Sequence, residues 1–469
     1  MPIAPSVKAT DANSKPVSGA AVIFAVASGG GSITGGDQTT NESGVATVGS
    51  WTLGPTVGTN TLTATAEGLA GSPAIFTATG DIMIVTTVSP ASGGVAGGTA
   101  VTITGNNFTN VTSATIGGSE LGGRVVVSPS QIKGITSSSG SPGPEDVVVT
   151  SSSHGTATCS GCFSYEVPTL EEAQAELRSY IQNVTQATAR RYGARDSEGN
   201  VMDGVKIISS SEAGGFIGVY HSYSETNGGF YAHLATSSDL MNWTWRRELA
   251  SQAAQPTIRA SENGYVVAWE QEPDNHLKFA YYKSWTDLLN GVASKTFDAP
   301  RQLSLCAEGT PNLYSASSAS IDVGFHYWWN CDVDRQARGT TNWSSWSSRA
   351  EEQLDASILT HGVEGNVGDR DGMFSFRGYD FALIEGQFRK GDFGSWRTFL
   401  YNPYTGTADQ LQIRTNAGST AFSNPTIEQV EIDGQKAILV TLFLPHEGAK
   451  PGEAGELIYY RKYALVDQE

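Results

Sequence analysis

Basic residues and long apolar runs are both scarce in this chain of 469 residues. Lys and Arg number 29 against 47 Asp and Glu, so the formal net charge is -18. Because nucleic acids and anionic membranes are bound through Lys and Arg, we expect neither as a partner. No run of about eighteen apolar residues occurs, so we expect no membrane insertion. The first residues lack the basic and apolar regions of a signal peptide, and we expect none in this sequence.

Cysteine is also rare, with four residues that fall into two separate pairs, Cys159/Cys162 and Cys306/Cys331. Neither pair has the spacing of a zinc site made from two close couples. Two local disulfides are favoured over free buried thiols. Disulfides persist in oxidising compartments, so the sequence predicts a secreted or cell-surface protein.

Glycine is abundant instead, with 54 residues, while charged residues make up 16% of the chain. Such a composition is typical of β-structure with many turns. The length corresponds to about two to four domains. We expect a monomer.

The last 270 or so residues carry a repeat with a period of 52 to 61 residues. Each unit begins with a turn that leads into a strand, and the five turns start at Asp203, Gln255, Glu308, Asp369 and Asn424. A period near fifty with several short β-rich runs per unit is typical of a β-propeller blade. The repeat therefore predicts five blades.

A second feature recurs with the same period. Each turn is followed by an apolar strand that ends in polar or aromatic residues, near His221, Glu270, His326, Glu385 and Phe443. In an antiparallel sheet the start of one strand and the end of its neighbour lie at the same edge. Both sets of side chains are therefore expected at one mouth of a central channel.

The sequence predicts an all-β protein with two N-terminal sandwiches, a connecting helix and the propeller. Residues 1–82 alternate β-branched runs with Gly, Ser and Asn turns, and the segments PVSGA, TTNESGVA and TLTAT resemble bacterial Ig-like domains of the invasin and intimin type. Residues 83–167 contain VSP, GGTAVTITG, IGG and FSY, and they resemble an IPT/TIG domain. The resemblances imply spacer, adhesion or accessory modules.

Residues 168–200 are expected to contain the connecting helix. Leu170, Ala173, Leu177 and Ile181 recur at helical spacing, and Thr169 is a suitable N-cap. Residues 201–469 form the expected propeller and catalytic domain.

The segment LATSSDLMNW, which ends at Trp243, resembles the outer-strand signature of five-bladed glycoside hydrolases such as families 43, 32 and 117. In those families a first-blade Asp is the general base, and a third-blade Glu in a Glu-Gly-Pro turn is the general acid. The resemblance implies these roles for Asp203 and Glu308. It departs from the pattern where Thr310 is inserted in the turn, and where Gln255 replaces a second-blade Asp that tunes the acid. Either Glu270 or Asp369 supplies that role, or the chemistry differs.

The predicted function is hydrolysis of a plant or microbial polysaccharide or oligosaccharide by an acid/base pair. The candidate catalytic residues are Asp203, Glu308, Glu270 and Asp369. The residues expected to bind substrate are His221, Gln255, His326, Tyr327, Trp328, Arg335, Arg370, Asp371, Glu385 and Asn424. Trp269 and Trp329 extend an aromatic platform on which sugar rings stack.

Hydrolysis requires no cofactor, but a structural Ca²⁺ or another divalent metal in the channel is one interpretation of His221, His326, Glu270 and Glu385. Contacts with sugar hydroxyls and a satisfied polar core are the others. Two further functions stay open. One is a non-catalytic lectin or adhesin, and the other is a polysaccharide lyase in which His326 or Tyr327 abstracts a proton and Arg335 or Arg370 holds a carboxylate.

Overall fold

A computed structural model describes residues 3–54, 58–139 and 141–463. Nearly all regular structure is β, as predicted. The chain divides into two compact units, one of which ends at Val167 while the other begins at Pro168. Within the described ranges, no helix is long and apolar enough to cross a membrane.

Eight short strands make up the first β-sandwich. They are β1 (Ser6–Lys8), β2 (Ala21–Ser28), β3 (Gly31–Thr34), β4 (Asp37–Thr39), β5 (Val45–Thr47), β6 (Ser50–Leu53), β7 (Gly58–Thr65) and β8 (Ala74–Gly80). The main sheet has the order β4-β2-β7-β8, and β1-β5 and β3-β6 are two-stranded. In β2 the residues alternate between buried and exposed, so one face packs around the buried Trp51 while the other meets solvent.

Nine strands make up the second sandwich. They are β9 (Ile84–Ser89), β10 (Ser92–Gly94), β11 (Ala100–Asn106), β12 (Val111–Ile116), β13 (Ser119–Glu120), β14 (Gly122–Ser128), β15 (Gln131–Ile135), β16 (Gly143–Ser151) and β17 (Gly155–Glu166). They form the sheets β14-β15-β11-β9 and β10-β17-β16-β12-β13, whose inner faces enclose a core around Phe108 and Phe163. The Cys159–Cys162 disulfide lies within β17.

The predicted helix is present as α1 (Leu170–Gln182). Thr169 caps it, since its side chain accepts from the Glu172 backbone while the Glu172 carboxylate accepts from the Thr169 N–H. Ala173, Leu177 and Ile181 are fully buried against apolar residues of the propeller. Burial of this stripe stabilises a helix that would be marginal alone.

Five antiparallel sheets follow. The first sheet contains β19 (Asp203–Ser210), β20 (Gly215–Tyr223), β21 (Phe230–Ser237) and β22 (Thr244–Ser251), and the second contains β23 (Ala253–Ser261), β24 (Gly264–Gln271), β25 (His276–Tyr282) and β26 (Lys295–Asp298). The third contains β27 (Glu308–Ala316), β28 (Ile321–Trp329), β29 (Val333–Thr341) and β30 (Trp346–Ala350), and the fourth contains β31 (Val367–Asp369), β32 (Phe374–Phe376), β33 (Tyr379–Gln387), β34 (Trp396–Asn402) and β35 (Thr407–Gln410). The fifth contains β36 (Ser423–Ile432), β37 (Gln435–Leu444), β38 (Gly455–Lys462) and β18 (Ala189–Arg191). Two short helices, α2 (Trp285–Asn290) and α3 (Glu352–Leu359), connect strands at the periphery.

These sheets are the five blades of the expected propeller. Consecutive blades contact one another in a closed circle, with the inner strand β19 of the first blade against both β23 and β36. Second strands such as β37 are buried along nearly their whole length, because another blade covers each face.

The fifth blade combines two distant parts of the chain. Residues Ala189–Arg191, within the segment expected to be linker, pair with β38 near the end of the chain. The propeller thus begins before residue 201, and this pairing closes the ring.

Candidate active site

Four of the five inner strands begin with the same irregularity. The register with the second strand shifts after Asp203, Ala254, Gly309 and Ser423. The next residue in each case has a positive φ, at Gly204, Gln255, Thr310 and Asn424. Such a bulge turns backbone groups away from the ladder. Pro256, Pro311 and Pro425 follow three of these residues, where no N–H is needed for pairing.

Arg370 lies where these strand starts converge, and its side chain is fully buried. One terminal nitrogen donates to the carbonyls of Gln255 and Pro311, both at 3.3 Å. The other donates to the carbonyls of Gly204 at 2.9 Å and Pro256 at 3.3 Å. One guanidinium therefore connects the fourth blade to the first three, using carbonyls that the bulges expose. Arg370 contacts protein here, not solvent.

Asp203 lies beside this guanidinium at the start of the first inner strand. A quarter of its side chain is exposed. Two polar groups lie at the outer limit of a hydrogen bond from its carboxylate, the Asn424 amide at 3.5 Å and the His221 Nε2 at 3.5 Å. Burial raises the pKa of Asp203 to about 7, while the positive charge of Arg370 opposes the rise. Asp203 thus combines access to solvent with a titration near neutral pH.

Glu270 is the penultimate residue of β24, the second strand of the second blade, and is partly exposed. It accepts from the Asn275 side chain and from the Thr310 backbone N–H at 3.3 Å. Burial raises the pKa of this carboxyl. A side chain at Gly309 would collide with the Glu270 carboxylate, so the third blade leaves space for it.

Glu308 has a different environment, with only 1% of the residue exposed. Its Oε1 accepts from three consecutive backbone N–H groups, those of Gln302 at 2.7 Å, Leu303 at 2.5 Å and Ser304 at 3.0 Å. Gly309 is the residue of the third blade that corresponds to Asp203 in the first blade, because each directly precedes the bulge. Glu308 comes one residue earlier. Because side chains alternate along a strand, the carboxylates of Glu308 and Asp203 point to opposite faces of their sheets. This geometry assigns Glu308 to fastening the loop before β27.

Asp369 and Asp371 are buried on either side of Arg370. The Asp369 carboxylate accepts from the Tyr314 hydroxyl at 3.0 Å, and burial raises its pKa to about 7. Asp371 lies 2.6 Å from the Lys206 Nζ and accepts from the Ile427 N–H at 3.0 Å. Both carboxylates are enclosed within protein, and Asp371 braces three blades.

The two predicted histidines are buried, and each has a ring nitrogen bonded to the backbone. His221 Nδ1 accepts from the Gln255 N–H at 3.3 Å. His326 Nε2 donates to the Asp369 carbonyl at 3.0 Å. Burial lowers the pKa of His221 to about 3 and that of His326 to about 4, so both rings are neutral at neutral pH.

The proposed metal set does not fit this environment. Glu385 is buried, accepts from the Asn424 backbone N–H and has a pKa that burial raises to about 8, so it is protonated at neutral pH. Arg370 already supplies a positive charge to the carbonyls at the blade starts. In the described part of the chain, no three metal-ligating side chains form a group that could hold an ion.

The predicted aromatic platform divides into buried and exposed residues. Trp269 and Tyr327 are 5% and 8% exposed and belong to the packing between blades. Trp328 and Trp329 are 43% and 48% exposed at the end of β28, the edge from which β27 starts. The Arg335 guanidinium lies 6.0 Å from the Trp329 ring centroid and donates to backbone carbonyls.

Two site residues were not among the candidates. Glu456 in β38 is fully buried and accepts from the Gly204 N–H at 3.0 Å. Asp334 in β29 is partly exposed, and burial with the negative charge of Glu270 raises its pKa to about 7. Both lie on third strands, outside the two features that recur with the blade period. The only signal for Asp334 was an acidic residue directly before Arg335 and five positions after Trp329, the second member of the aromatic pair that ends β28.

Comparison with known families identifies one of the N-terminal modules. Residues 83–167 match the family model described as IPT/TIG domain. The chain contains an IPT/TIG domain. This confirms the resemblance seen in the IPT/TIG domain's turns and strands, while the bacterial Ig-like interpretation of residues 1–82 stays a prediction. No curated protein matches the chain.

Several solved structures resemble the chain in fold. A thermostable family-43 glycoside hydrolase is 10% identical, with 59% of this chain and 94% of that chain covered and a TM-score of 0.37. An alpha-L-arabinofuranosidase from Podospora anserina, in complex with cellotriose, is 11% identical, with coverages of 60% and 97% and a TM-score of 0.38. An auxiliary nutrient binding protein from Bacteroides ovatus is 15% identical, with coverages of 82% and 91% and a TM-score of 0.28. These likenesses assign no role to any residue.

Proposed function

We propose that this chain is an exported glycoside hydrolase that cleaves neutral polysaccharides or oligosaccharides, with Asp203 as general base and Glu270 as general acid. The proposal depends on one observation. Asp203 and Glu270 are partly exposed carboxyls with raised pKa values, and they lie at the same edge of adjacent blades, Asp203 at the start of β19 and Glu270 opposite the start of β23. Two carboxyls in opposite protonation states are what glycosidic cleavage needs.

The two environments support different roles. Glu270 accepts from an amide and a backbone N–H, and the rise of its pKa by burial favours the protonated form, which can donate to the leaving oxygen. Asp203 has Arg370 nearby, which favours its ionised form. Because the pKa of Asp203 is about 7, the base is ionised above that pH. We expect the rate to rise with pH through about 7.

The general-acid role that the sequence resemblance implies for Glu308 passes in this proposal to Glu270. Glu308 is committed to three backbone N–H groups. Glu308→Gln keeps an oxygen that accepts from the loop, so we expect the variant to fold and to retain turnover. Glu270→Gln cannot donate the proton and should lose at least 100-fold in kcat, in the range of general-acid contributions.

The disulfides Cys159–Cys162 and Cys306–Cys331 support the proposed export, because disulfides persist in oxidising compartments outside the cytosol. The partners in the proposal are carbohydrates. No metal or other cofactor is required by an acid/base mechanism of this kind.

A non-catalytic carbohydrate-binding protein is the second candidate. Gln255 favours it, since an amide stands where the glycoside hydrolases that the sequence resembles have an acidic residue. A lyase has less support, because His326 is bonded to the backbone and Tyr327 is 8% exposed. Neither side chain is free to take a proton from a sugar.

One assay separates the three functions. The purified full chain is incubated with neutral and uronic polysaccharides, and with cellotriose and xylotriose, the ligands named for two of the similar structures. New reducing ends without ultraviolet absorbance indicate a hydrolase, absorbance from an unsaturated product indicates a lyase, and retention without turnover indicates a binding protein. Asp203→Asn should abolish turnover; a fully active variant would refute the assigned base.

A further inference from the structure

The most exposed apolar surface of the third blade lies at the same end of the propeller as Asp203 and Glu270. Leu305, Trp328 and Trp329 are 93%, 43% and 48% exposed. All ten tryptophans lie in the described part of the chain, and the other eight are buried or half-buried. Exposed apolar side chains that cluster on a surface often mark a binding site for a ligand. We call these three residues the rim.

Several bonds hold the rim in place. The Cys306–Cys331 disulfide joins the loop that carries Leu305 to the hairpin after Trp329. The backbone N–H of Trp328 donates to the Ala307 carbonyl at 3.0 Å, and the Ser304 hydroxyl donates to the backbone carbonyl of Trp328 at 2.9 Å. The same loop is fastened by Glu308. A surface ordered before binding loses little conformational entropy when a ligand arrives.

Polar groups of suitable chemistry adjoin the rim. Asp334 pairs with Trp328 across the hairpin and is partly exposed, and Arg335 lies beside Trp329. Indole faces bind the C–H face of a sugar ring, while carboxylate and guanidinium groups bond to its hydroxyls. The net charge of -18 disfavours an anionic polymer.

We propose that the rim binds sugar units distant from the cleaved bond, so that a neutral chain of several sugars is a better substrate than a single glycoside. This inference rests on the proposed function for the position of the cleaved bond. It adds a substrate class and names Trp328 and Trp329 as specificity-determining residues.

The test compares two substrates in the full-length protein. The first is the neutral polysaccharide that the wild type cleaves, and the second is the matching 4-nitrophenyl monosaccharide, which is too short to reach the rim. Trp329→Ala or Trp328→Ala should lower kcat/KM on the polysaccharide about ten-fold, mainly through KM. The same variant should stay within about two-fold of the wild type on the nitrophenyl glycoside. Trp329→Phe should retain part of the effect on the polysaccharide.

A binding measurement separates failure of the rim from failure of the proposed function. Affinity electrophoresis through gels containing neutral polysaccharides does not need turnover. Asp203→Asn should be retarded like the wild type, and adding Trp329→Ala should reduce the retardation. If the wild type cleaves nothing but the tryptophan variant still loses retardation, the sugar platform stands and the hydrolase does not.

Tyr404→Ala is the matched control. Tyr404 is 56% exposed in the turn between β34 and β35, at the opposite end of its blade. Its removal should change neither retardation nor kcat/KM. Unchanged melting temperatures in all variants would exclude misfolding. If both tryptophan variants match the wild type in polysaccharide kinetics and in retardation, the inference is refuted.

Discussion

Replacing Arg370 by methionine tests the centre of the site most directly. The variant removes the donor from the carbonyls of Gly204, Gln255, Pro256 and Pro311, which bond to the guanidinium at 2.9 to 3.3 Å. Methionine fills much of the same space but donates nothing. The bulged backbone at the blade starts then has buried carbonyls without partners.

The expected loss of stability follows from these contacts. Removing one partner of a buried charged network typically costs about 3 to 5 kcal/mol. For a unit of this size, that loss lowers the melting temperature by roughly 6 to 10 °C. Arg370→Lys keeps the charge but cannot reach all four carbonyls, so its melting temperature should lie between those of the methionine variant and the wild type.

The same substitution should change the pH dependence of activity. Arg370 lowers the pKa of Asp203 against the effect of burial. Without this cation the pKa of Asp203 rises above about 7, and the acid limb of kcat/KM moves to higher pH. A Lys variant should leave the limb closer to that of the wild type.

Differential scanning calorimetry and a pH–rate profile on the full chain measure both effects. Arg389→Met is the control, because the Arg389 side chain is 70% exposed and pairs with Asp392 at the surface. Its melting temperature should match that of the wild type within about 1 °C. If Arg370→Met melts within that same margin, the guanidinium does not hold the blades together and the reasoning fails.

Three further predictions concern single residues of the site. Glu308→Ala should lower the free energy of unfolding by about 3 kcal/mol, since three backbone N–H groups lose their acceptor; denaturant unfolding that matches the wild type would contradict the loop-fastening role. Gly309→Ala should lower activity strongly by displacing the Glu270 carboxylate, whereas Gly372→Ala, whose added carbon meets only ordinary contacts, should retain it, and equal kinetics in both would count against Glu270. Glu385→Gln should stabilise the protein, relative to the wild type, increasingly from pH 5 to pH 9. Burial raises the pKa of Glu385 from 4.5 to about 8, so between these values the folded state keeps a proton that the unfolded state has lost. The wild type therefore loses stability as the pH rises through that window, whereas the glutamine variant does not. Melting temperatures whose difference does not change with pH would disprove this.

The blade period could be predicted from the sequence because every blade has the same local requirements. A turn leads into an inner strand, and the strand beside it is covered on both faces, so the sequence repeats Gly or Pro turns and apolar runs. That pattern predicted the positions of Asp203, Glu270, Glu385 and Asn424 on inner and second strands. The IPT/TIG domain was recognisable for a similar reason, since its tight turns require glycine at fixed places.

The face of the sheet to which an individual side chain points could not be predicted from the sequence. Glu308 and Asp203 both begin inner strands, but a shift of one residue in a bulged strand turns a side chain to the other face. The turn around Glu308 carries one extra residue, and the structure directs its carboxylate into the preceding loop.

The amino-acid sequence by itself determined the β architecture, the five blades, the capped helix and the end of the propeller at which polar residues gather, because each depends on local periodicity and turn chemistry. Only the tertiary structure decided that Arg370 fills the centre, that Asp334 and Glu456 join the site, and which aromatic residues are exposed. Those properties depend on contacts between blades far apart in the chain, and no local pattern encodes them.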